Sequence, residues 1–395
     1  MSSAFEPWTI LTINGGSSSL KFALFAVSNS QVQALGRGAI ENIGESNGRA
    51  WYHPIAGEPR HWNQPMAGLP EAVDWMLRCL TSFELPPPRA IGHRIVAGGP
   101  ECYSHQRIDA ALLAKLRRAI AFAPLHLPAN LALVEALIDR YPEAVQVACF
   151  DTAFHHGLPE IASRLPLPRE LWQRGVRKYG FHGLSFEYIV DYLGPSAYPR
   201  LIVAHLGNGS SLAAIRDGRP VDTTMGLTPT GGVMMGTRSG DLDPGVVLYL
   251  LEQRSPAQVS QLLNQQSGLL GVSGISGDMQ TLLASPDERA KLAVDMYVYA
   301  VAKAVGALAA ALGGLDGLVF TGGIGQHAPL IRQKICERLA WMGVALSEPL
   351  NRSSQEDISA PNSPIRVLVI PTDEERMIAR HTYRVAHWDD GPGHP

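Results

Sequence analysis

The sequence predicts a duplicated α/β fold, two similar domains with a ligand cleft between the halves, and three observations predict it. A strand-like apolar run entering a Gly/Ser turn occurs twice. A later strand-like run ending in Gly-Gly follows each of those turns. Apolar residues spaced three and four apart fill the intervals between them.

The first turn follows Ile10-Leu11-Thr12-Ile13 and reads Asn14-Gly15-Gly16-Ser17-Ser18-Ser19-Leu20-Lys21, with Phe22–Val27 as the returning strand. The second follows Leu201–His205 and reads Leu206-Gly207-Asn208-Gly209-Ser210-Ser211-Leu212, returning through Ala213–Ile215. Both read as hairpins. Ala90–Ala97 runs into Gly98-Gly99, and Gly317–Thr321 runs into Gly322-Gly323. Helical spacing covers Glu71–Leu80, Asp109–Ala121, Leu131–Arg140, Pro256–Gln266 and Asp287–Leu312, while Pro86–Pro88 and Ser359–Pro364 read as connections.

A chain of 395 residues suits about two domains at roughly 150 residues each. The expected division is 1–150, rejoined by 385–395, and 151–384. A net charge of -3 gives no electrostatic reason to expect nucleic acid or an anionic membrane as partner, so an anionic ligand must be held by local groups. Cys79, Cys102, Cys149 and Cys336 are scattered without a Cys-x-x-Cys pair, a pattern of reduced thiols in a cytoplasmic protein. Trp8–Ile13 is too short, and lacks a preceding basic residue, for a signal peptide. Tyr297–Gly314 is apolar enough to be weighed as a membrane span, but its small residues and flanking Asp295 and Asp316 favour a helix buried in protein.

Several segments can carry chemistry. In Asn14–Lys21 the glycines admit a ligand close to the backbone, the serines offer hydroxyls and Lys21 a charge, as a phosphate would need. A plain hairpin turn uses the same residues. Arg94, inside the apolar run Gly92–Gly99, requires an anionic partner if buried, whether ligand or structural carboxylate. Arg238 in Thr237-Arg238-Ser239-Gly240-Asp241-Leu242-Asp243-Pro244 faces the same choice between a ligand and a local Arg–Asp clasp. Asp151 ends a strand-like run, where a carboxylate can hold a metal, act as a base or simply face solvent. His182 lies in the ring-rich turn Tyr179–Gly183, and Asp373-Glu374-Glu375 opens a helix that such acids would also cap.

Together these segments resemble the acetate kinase family of the sugar kinase/Hsp70/actin superfamily, from Asn14 to about Arg380. The motifs carrying the resemblance are Asn14–Lys21, Phe150-Asp151-Thr152-Ala153-Phe154-His155, Tyr179–Gly183, His205–Gly209 and Gly236–Pro244. The resemblance implies duplicated ribonuclease H-like domains and reversible transfer of the ATP γ-phosphoryl group to acetate, giving acetyl phosphate and ADP. It also implies Mg²⁺, or Mn²⁺ in its place, and a homodimer, for which the apolar helix Val294–Leu312 would suit the interface.

By the same resemblance Asn14 and Glu374 serve the metal, and Ser17, Ser19 and Lys21 lie at phosphate positions. Arg94 and Arg238 flank the transferred phosphoryl group, Arg94 also takes the substrate carboxylate, His182 donates a hydrogen bond in the transition state, and Asp151 is the catalytic carboxylate. The nucleotide segments are His205, Leu206, Gly207, Asn208 and Gly209; Asp278, Met279 and Gln280; and Gly323, Ile324, Gly325, Gln326 and His327. The substrate methyl falls among Val96, Leu125, Phe181 and Pro229. A carboxylate is already ionised at neutral pH and needs no general base, which favours a metal-orienting role for Asp151 over proton transfer. The chain departs from the family pattern at Ala97, at Met279-Gln280 and at Gln326-His327. A short-chain acyl (propionate) kinase of the same family is one alternative; a nucleotide-gated binding module of the Hsp70/actin type is the other, and would not need Arg94, Arg238, His182 and Asp151 together.

Overall fold

The computed structural model describes residues 7–16, 18–28, 31–55, 57–124 and 126–388. The chain forms two compact units, Met1–Ala153 with Asp373–Pro395, and Phe154–Thr372.

The first unit contains β1 (Trp8–Gly15), β2 (Ser19–Val27), β3 (Val32–Glu41), β4 (Arg49–Pro54), β5 (Arg60–Asn63), β6 (Ala90–Ile95), β7 (Gln106–Arg107) and β8 (Val145–Phe150). They make one sheet in the order β5-β4-β3-β2-β1-β6-β8-β7. β1 is antiparallel to β2 and parallel to β6, and β6 is parallel to β8. One face is covered by helices Leu69–Ser82 and Leu127–Arg140, which bury Val73, Met76, Leu80, Leu133 and Leu137 against Leu11, Ile13 and Phe22. Helix Glu374–Trp388 lies on β1, β6 and β8. That approach depends on a missing side chain: a Cβ on Gly92 would stand 2.1 Å from Thr382 Oγ1. This packing returns the chain to the first unit at Asp373, ahead of the expected position 385.

The second unit contains β9 (Arg200–Leu206), β10 (Ser210–Arg216), β11 (Arg219–Thr223), β12 (Gly317–Thr321) and β13 (Arg366–Val369), ordered β11-β10-β9-β12-β13. Again the hairpin strands are antiparallel and the two later strands parallel. Thus β3-β2-β1-β6-β8 and β11-β10-β9-β12-β13 share one pattern, and the two Gly-Gly strands occupy the same place in it. Alternate residues divide between the faces, as strand geometry requires. Ile202, Ala204, Leu212 and Ala214 join the core beneath helix Glu288–Leu312, and Leu201, Val203, Ala213 and Ile215 meet Phe186 and Ile189 of helix Gly183–Leu193.

Helix Glu288–Leu312 is long and apolar enough to cross a membrane by length and composition, with a mean hydropathy of 1.5 over its best window. Half of that window is buried within the unit, and Val294, Tyr297, Val298, Val301, Val305 and Leu308 all lie in its core. The long apolar helix therefore packs one side into the core of the unit.

Candidate functional site

In the first unit the residues singled out from the sequence gather at the ends of β1, β6 and β8. Asn14 is the penultimate residue of β1, opposite Lys21 of β2, and Arg94 sits on the neighbouring β6. Arg94 Nε donates to Asp151 Oδ1 at 3.0 Å, and its Nη2 pairs closely with Asp151 Oδ2. Arg94 Nη1 donates to Asn14 Oδ1 at 3.1 Å, Glu374 Oε2 stands 3.8 Å from Nε, and Asn14 Nδ2 donates to that same Glu374 oxygen at 3.3 Å. Burial opposes the charge on Arg94, yet Asp151 and Glu374 outweigh it, and its pKa lies above the ordinary arginine value. Asp151 is fully buried and Arg94 half-buried, so the anionic partner that the sequence demanded is a structural carboxylate.

The acidic turn after β13 divides its work. Asp373 accepts from Arg376 N–H at 3.1 Å and pairs with Arg37 at 2.5 Å, so capping is its task, while Glu374 turns to Arg94 and Asn14. Val96, buried just beyond Arg94, donates its N–H to Asn130 Oδ1 at 3.2 Å, and Asn130 Nδ2 donates to Gly15 O at 2.9 Å. Asn130 thereby ties the β1–β2 turn to the strand that carries Arg94. Gly16 N–H closes that turn on Ser19 O at 2.8 Å, and Lys21 is exposed. Ser17 and Leu125 lie outside the described residues.

The second unit holds His182, His205–Gly209, Arg238, Asp278–Gln280 and Gly323–His327. His182 adopts a left-handed conformation, φ 57°, ahead of helix Gly183–Leu193, unusual for a residue with a Cβ. His182 Nδ1 is 2.8 Å from Ser211 Oγ. The ring also stacks on His205, whose Nδ1 is 2.8 Å from Ser185 Oγ. Beneath it, His155 Nε2 donates to Phe181 O at 3.0 Å, and burial pushes the His155 pKa down to about 4, so this imidazole stays neutral.

The β9–β10 turn is the meeting point. A Cβ on Gly209 would lie 3.4 Å from both Arg238 Nη1 and His182 Nε2, so the guanidinium and the imidazole converge on this glycine. Arg238 Nη1 donates to Pro229 O at 3.1 Å, fixing it beside that buried proline. Gly236 N–H donates to Asn208 O at 3.1 Å and docks the Arg238 loop on the turn. The nearby aspartates have backbone duties: Asp241 accepts from Gly232 N–H and Asp243 caps helix Pro244–Leu251, each at 2.7 Å. Ser210 Oγ, bonded to Gly207 O at 3.0 Å, also meets Tyr297 Oη at 2.9 Å, which pins the turn to helix Glu288–Leu312.

The remaining residues expected at the nucleotide are more dispersed in character. Asp278 caps helix Met279–Ala284 through Thr281 N–H at 2.8 Å, Met279 is buried in the core, and Gln280 is exposed. Gly323–His327 form a short helix, Gly322–His327, at the tip of β12; Gly323 and His327 are exposed and Gly325 is buried. Asn130, Ser185 and Tyr297 escape a sequence reading because each sits at an ordinary helical position whose polar atom finds its partner only in the folded chain.

Comparison with known proteins gives a consistent picture. The model of the Acetokinase family matches residues 9–380. An acetate kinase from Rhodopseudomonas palustris (strain TIE-1) is 46% identical over 396 aligned residues, covering 95% of this chain and 98% of that protein. Among solved structures, a propionate kinase from Francisella tularensis subsp. tularensis SCHU S4 is similar at TM-score 0.88 and 37% identity, over 96% of this chain and all of that one. Porphyromonas gingivalis acetate kinase is similar at TM-score 0.82 and 39% identity with the same coverage.

Proposed function

The chain belongs to the acetokinase family, and from that premise we propose that it transfers the γ-phosphoryl group of ATP directly to acetate, forming acetyl phosphate and ADP. Its fold is the duplicated ribonuclease H-like, actin/Hsp70-type architecture of the family.

The observation that carries the site assignment is the fixation of Arg94 by Asp151, Asn14 and Glu374. Acetate is ionised at neutral pH, so nothing need remove a proton from it; the obstacle is repulsion between an anion and a polyanion. Arg94 is assigned the acetate carboxylate. Asp151 directs both oxygens at Arg94, which suits orienting the guanidinium. Arg238 and His182, both turned to Gly209, are assigned the phosphoryl group, where their donors stabilise charge developing on its oxygens. Ser19, Lys21 and the segments at His205–Gly209, Asp278–Gln280 and Gly323–His327 are assigned the nucleotide.

A divalent cation fits the first unit, because the side chains of Asn14 and Glu374 converge to hydrogen-bonding distance and each carries the kind of oxygen ligand that Mg²⁺ or Mn²⁺ takes. Asn14 and Glu374 would hold it, and when bound it supplies charge neutralisation at the polyphosphate. We place the enzyme in the cytoplasm, in keeping with four free, buried cysteines. A homodimer is supported by helix Pro244–Leu251, which leaves Val246, Leu248, Tyr249 and Leu251 exposed, with Leu248 at 66%.

The likeness to the Francisella propionate kinase favours one second reading, a preference for propionate. A hydroxamate assay for acyl phosphate, run with ATP and Mg²⁺ on acetate, propionate and butyrate, tests both. Acetate is expected to give the highest kcat/KM. No acyl phosphate from any of the three would overturn the assignment.

A further inference from the structure

Arg332 is a fully buried arginine whose hydrogen-bond partners include no carboxylate. It lies on helix Pro329–Arg338, which follows directly on the short helix Gly322–His327. All five of its N–H donors are used. Nε donates to Asn351 Oδ1 at 2.8 Å, Nη1 to the carbonyls of Gly325 and Gln326 at 2.8 Å each, and Nη2 to Asn351 O at 2.7 Å and Ser354 Oγ at 3.0 Å. Ser354 Oγ in turn donates to Gln326 O at 3.3 Å, and Asn351 Nδ2 to Pro329 O at 3.0 Å. Burial pushes the Arg332 pKa down to about 10, so it remains charged at neutral pH while facing only neutral acceptors.

The residues gripped explain why such a group is present. A helix of six residues is too short to hold itself together, and its last carbonyls have no partner within the helix. Arg332 supplies two of those partners, and its charge sits where the helix dipole favours a cation. At the other end Gly322 has φ +74°, and a Cβ there would stand 2.7 Å from Leu206 O, so the segment lies flat on the end of β9. Gly323, between these anchors, has open space where a Cβ would be. The segment is thus fixed at both ends and open in the middle.

We propose that Arg332 is a positioning residue for nucleotide binding, which sets the geometry of Gly323–His327 by locking the inner end of that segment to Asn351 and Ser354. The inference rests on the assignment of Gly323–His327 to the nucleotide. Arg332→Lys keeps the charge but cannot form the five-point fork, since an ammonium has only three donors. It is expected to raise KM for ATP about tenfold, with kcat within about threefold and KM for acetate within about twofold, as for lost ground-state binding. Ser354→Ala, which deletes one hydroxyl, is expected to move KM for ATP the same way by about threefold.

Equal rises in KM for ATP and acetate, or a lowered kcat with KM for ATP unchanged, would overturn the proposal. If Arg332→Lys does not fold, Ser354→Ala decides, and an unchanged KM for ATP there counts against it. Gly323→Val separates the two levels of inference. A raised KM for ATP in Gly323→Val beside an unaffected Arg332→Lys defeats the role of Arg332 alone. No change in Gly323→Val defeats the assignment of the segment itself.

Discussion

Arg94 and Asp151 form a two-point ion pair whose carboxylate is entirely buried and whose guanidinium retains 19% of its side-chain surface. The exposed part of the cation is open to an anion, and the buried part is held by Asp151. Removing one member of such a pair leaves the other charge partly uncompensated, at a cost of about 3 kcal/mol. Asp151→Ala is expected to destabilise the protein by that order in urea unfolding, to raise KM for acetate and to lower kcat. Asp151→Asn, which keeps one acceptor, should recover part of the stability. Wild-type stability and KM for acetate in Asp151→Ala would show that Arg94 needs no counter-ion.

Arg238→Ala removes a donor turned to Gly209. Loss of one charge partner of a transition state costs about 10² or more in kcat. That fall, with KM for ATP little changed, is the expected result of steady-state kinetics. A near-normal kcat would remove Arg238 from the chemistry.

His93 and His155 set a pH dependence of stability. Each is buried, each Nε2 is bonded (to Gln146 Oε1 at 2.8 Å and to Phe181 O at 3.0 Å), and neither Nδ1 has a partner among the described residues. Burial pushes both pKa values down to about 4, against 6.5 for the ordinary group. Between those values the unfolded chain binds protons that the folded chain refuses, so stability rises with pH across this window and falls on acidification. The slope is about 1.4 kcal/mol per pH unit for each histidine. Melting temperature should therefore drop between pH 6.5 and pH 4, and His155→Gln should flatten the drop. An unaltered slope in that variant would mean that His155 is protonated in the fold.

Gln280 and His327 are both exposed, and each stands where the sequence leaves the family pattern. Relaxed base selectivity is expected, with GTP or ITP used within about tenfold of ATP, or ~1.4 kcal/mol. The ratio of kcat/KM for the three nucleotides measures it. A preference for ATP above about a hundredfold, ~2.7 kcal/mol, would place adenine recognition elsewhere.

Val96 lies two residues beyond Arg94, buried, with its backbone held by Asn130. One methylene in an apolar site is worth about 1–3 kcal/mol, so acetate should be preferred over propionate by roughly ten- to two-hundredfold. Val96→Ala should raise kcat/KM for propionate and leave KM for acetate nearly unchanged. An unchanged acetate-to-propionate ratio would remove Val96 from the specificity of the enzyme.

The parts of the fold that were legible in the sequence are those written in local pattern. The β1–β2 and β9–β10 hairpins announce themselves by apolar runs around Gly and Ser, and helix Glu288–Leu312 by its spacing. β3 did not, because its glycines serve its neighbours: a Cβ on Gly38 would stand 2.4 Å from Phe22 Cζ, and one on Gly36 would overlap the Tyr52 hydroxyl at 1.8 Å. Two ring contacts set those positions, and neither is visible along the chain. At the site, Arg94 called for an anion but could not say which, since Asp151 is 57 positions away in sequence. Asp373 and Glu374, adjacent and alike, divide between capping and the Arg94 cluster only once helix Glu374–Trp388 has its bearing on the sheet.

The return of the chain to the first unit at Asp373 bears on the order in which the protein can be completed as it is synthesised. Phe154–Thr372 is continuous, so the second unit has its whole sequence available before the first does. The first unit, although its strands emerge earliest, must wait for helix Glu374–Trp388 to cover β1, β6 and β8. Until then Gly92 faces no partner, and the carboxylate of Glu374 does not yet exist beside Asn14 and Arg94. A nascent chain stalled anywhere before residue 374 therefore lacks one arm of the Arg94 cluster, so a truncated product cannot assemble the complete cluster.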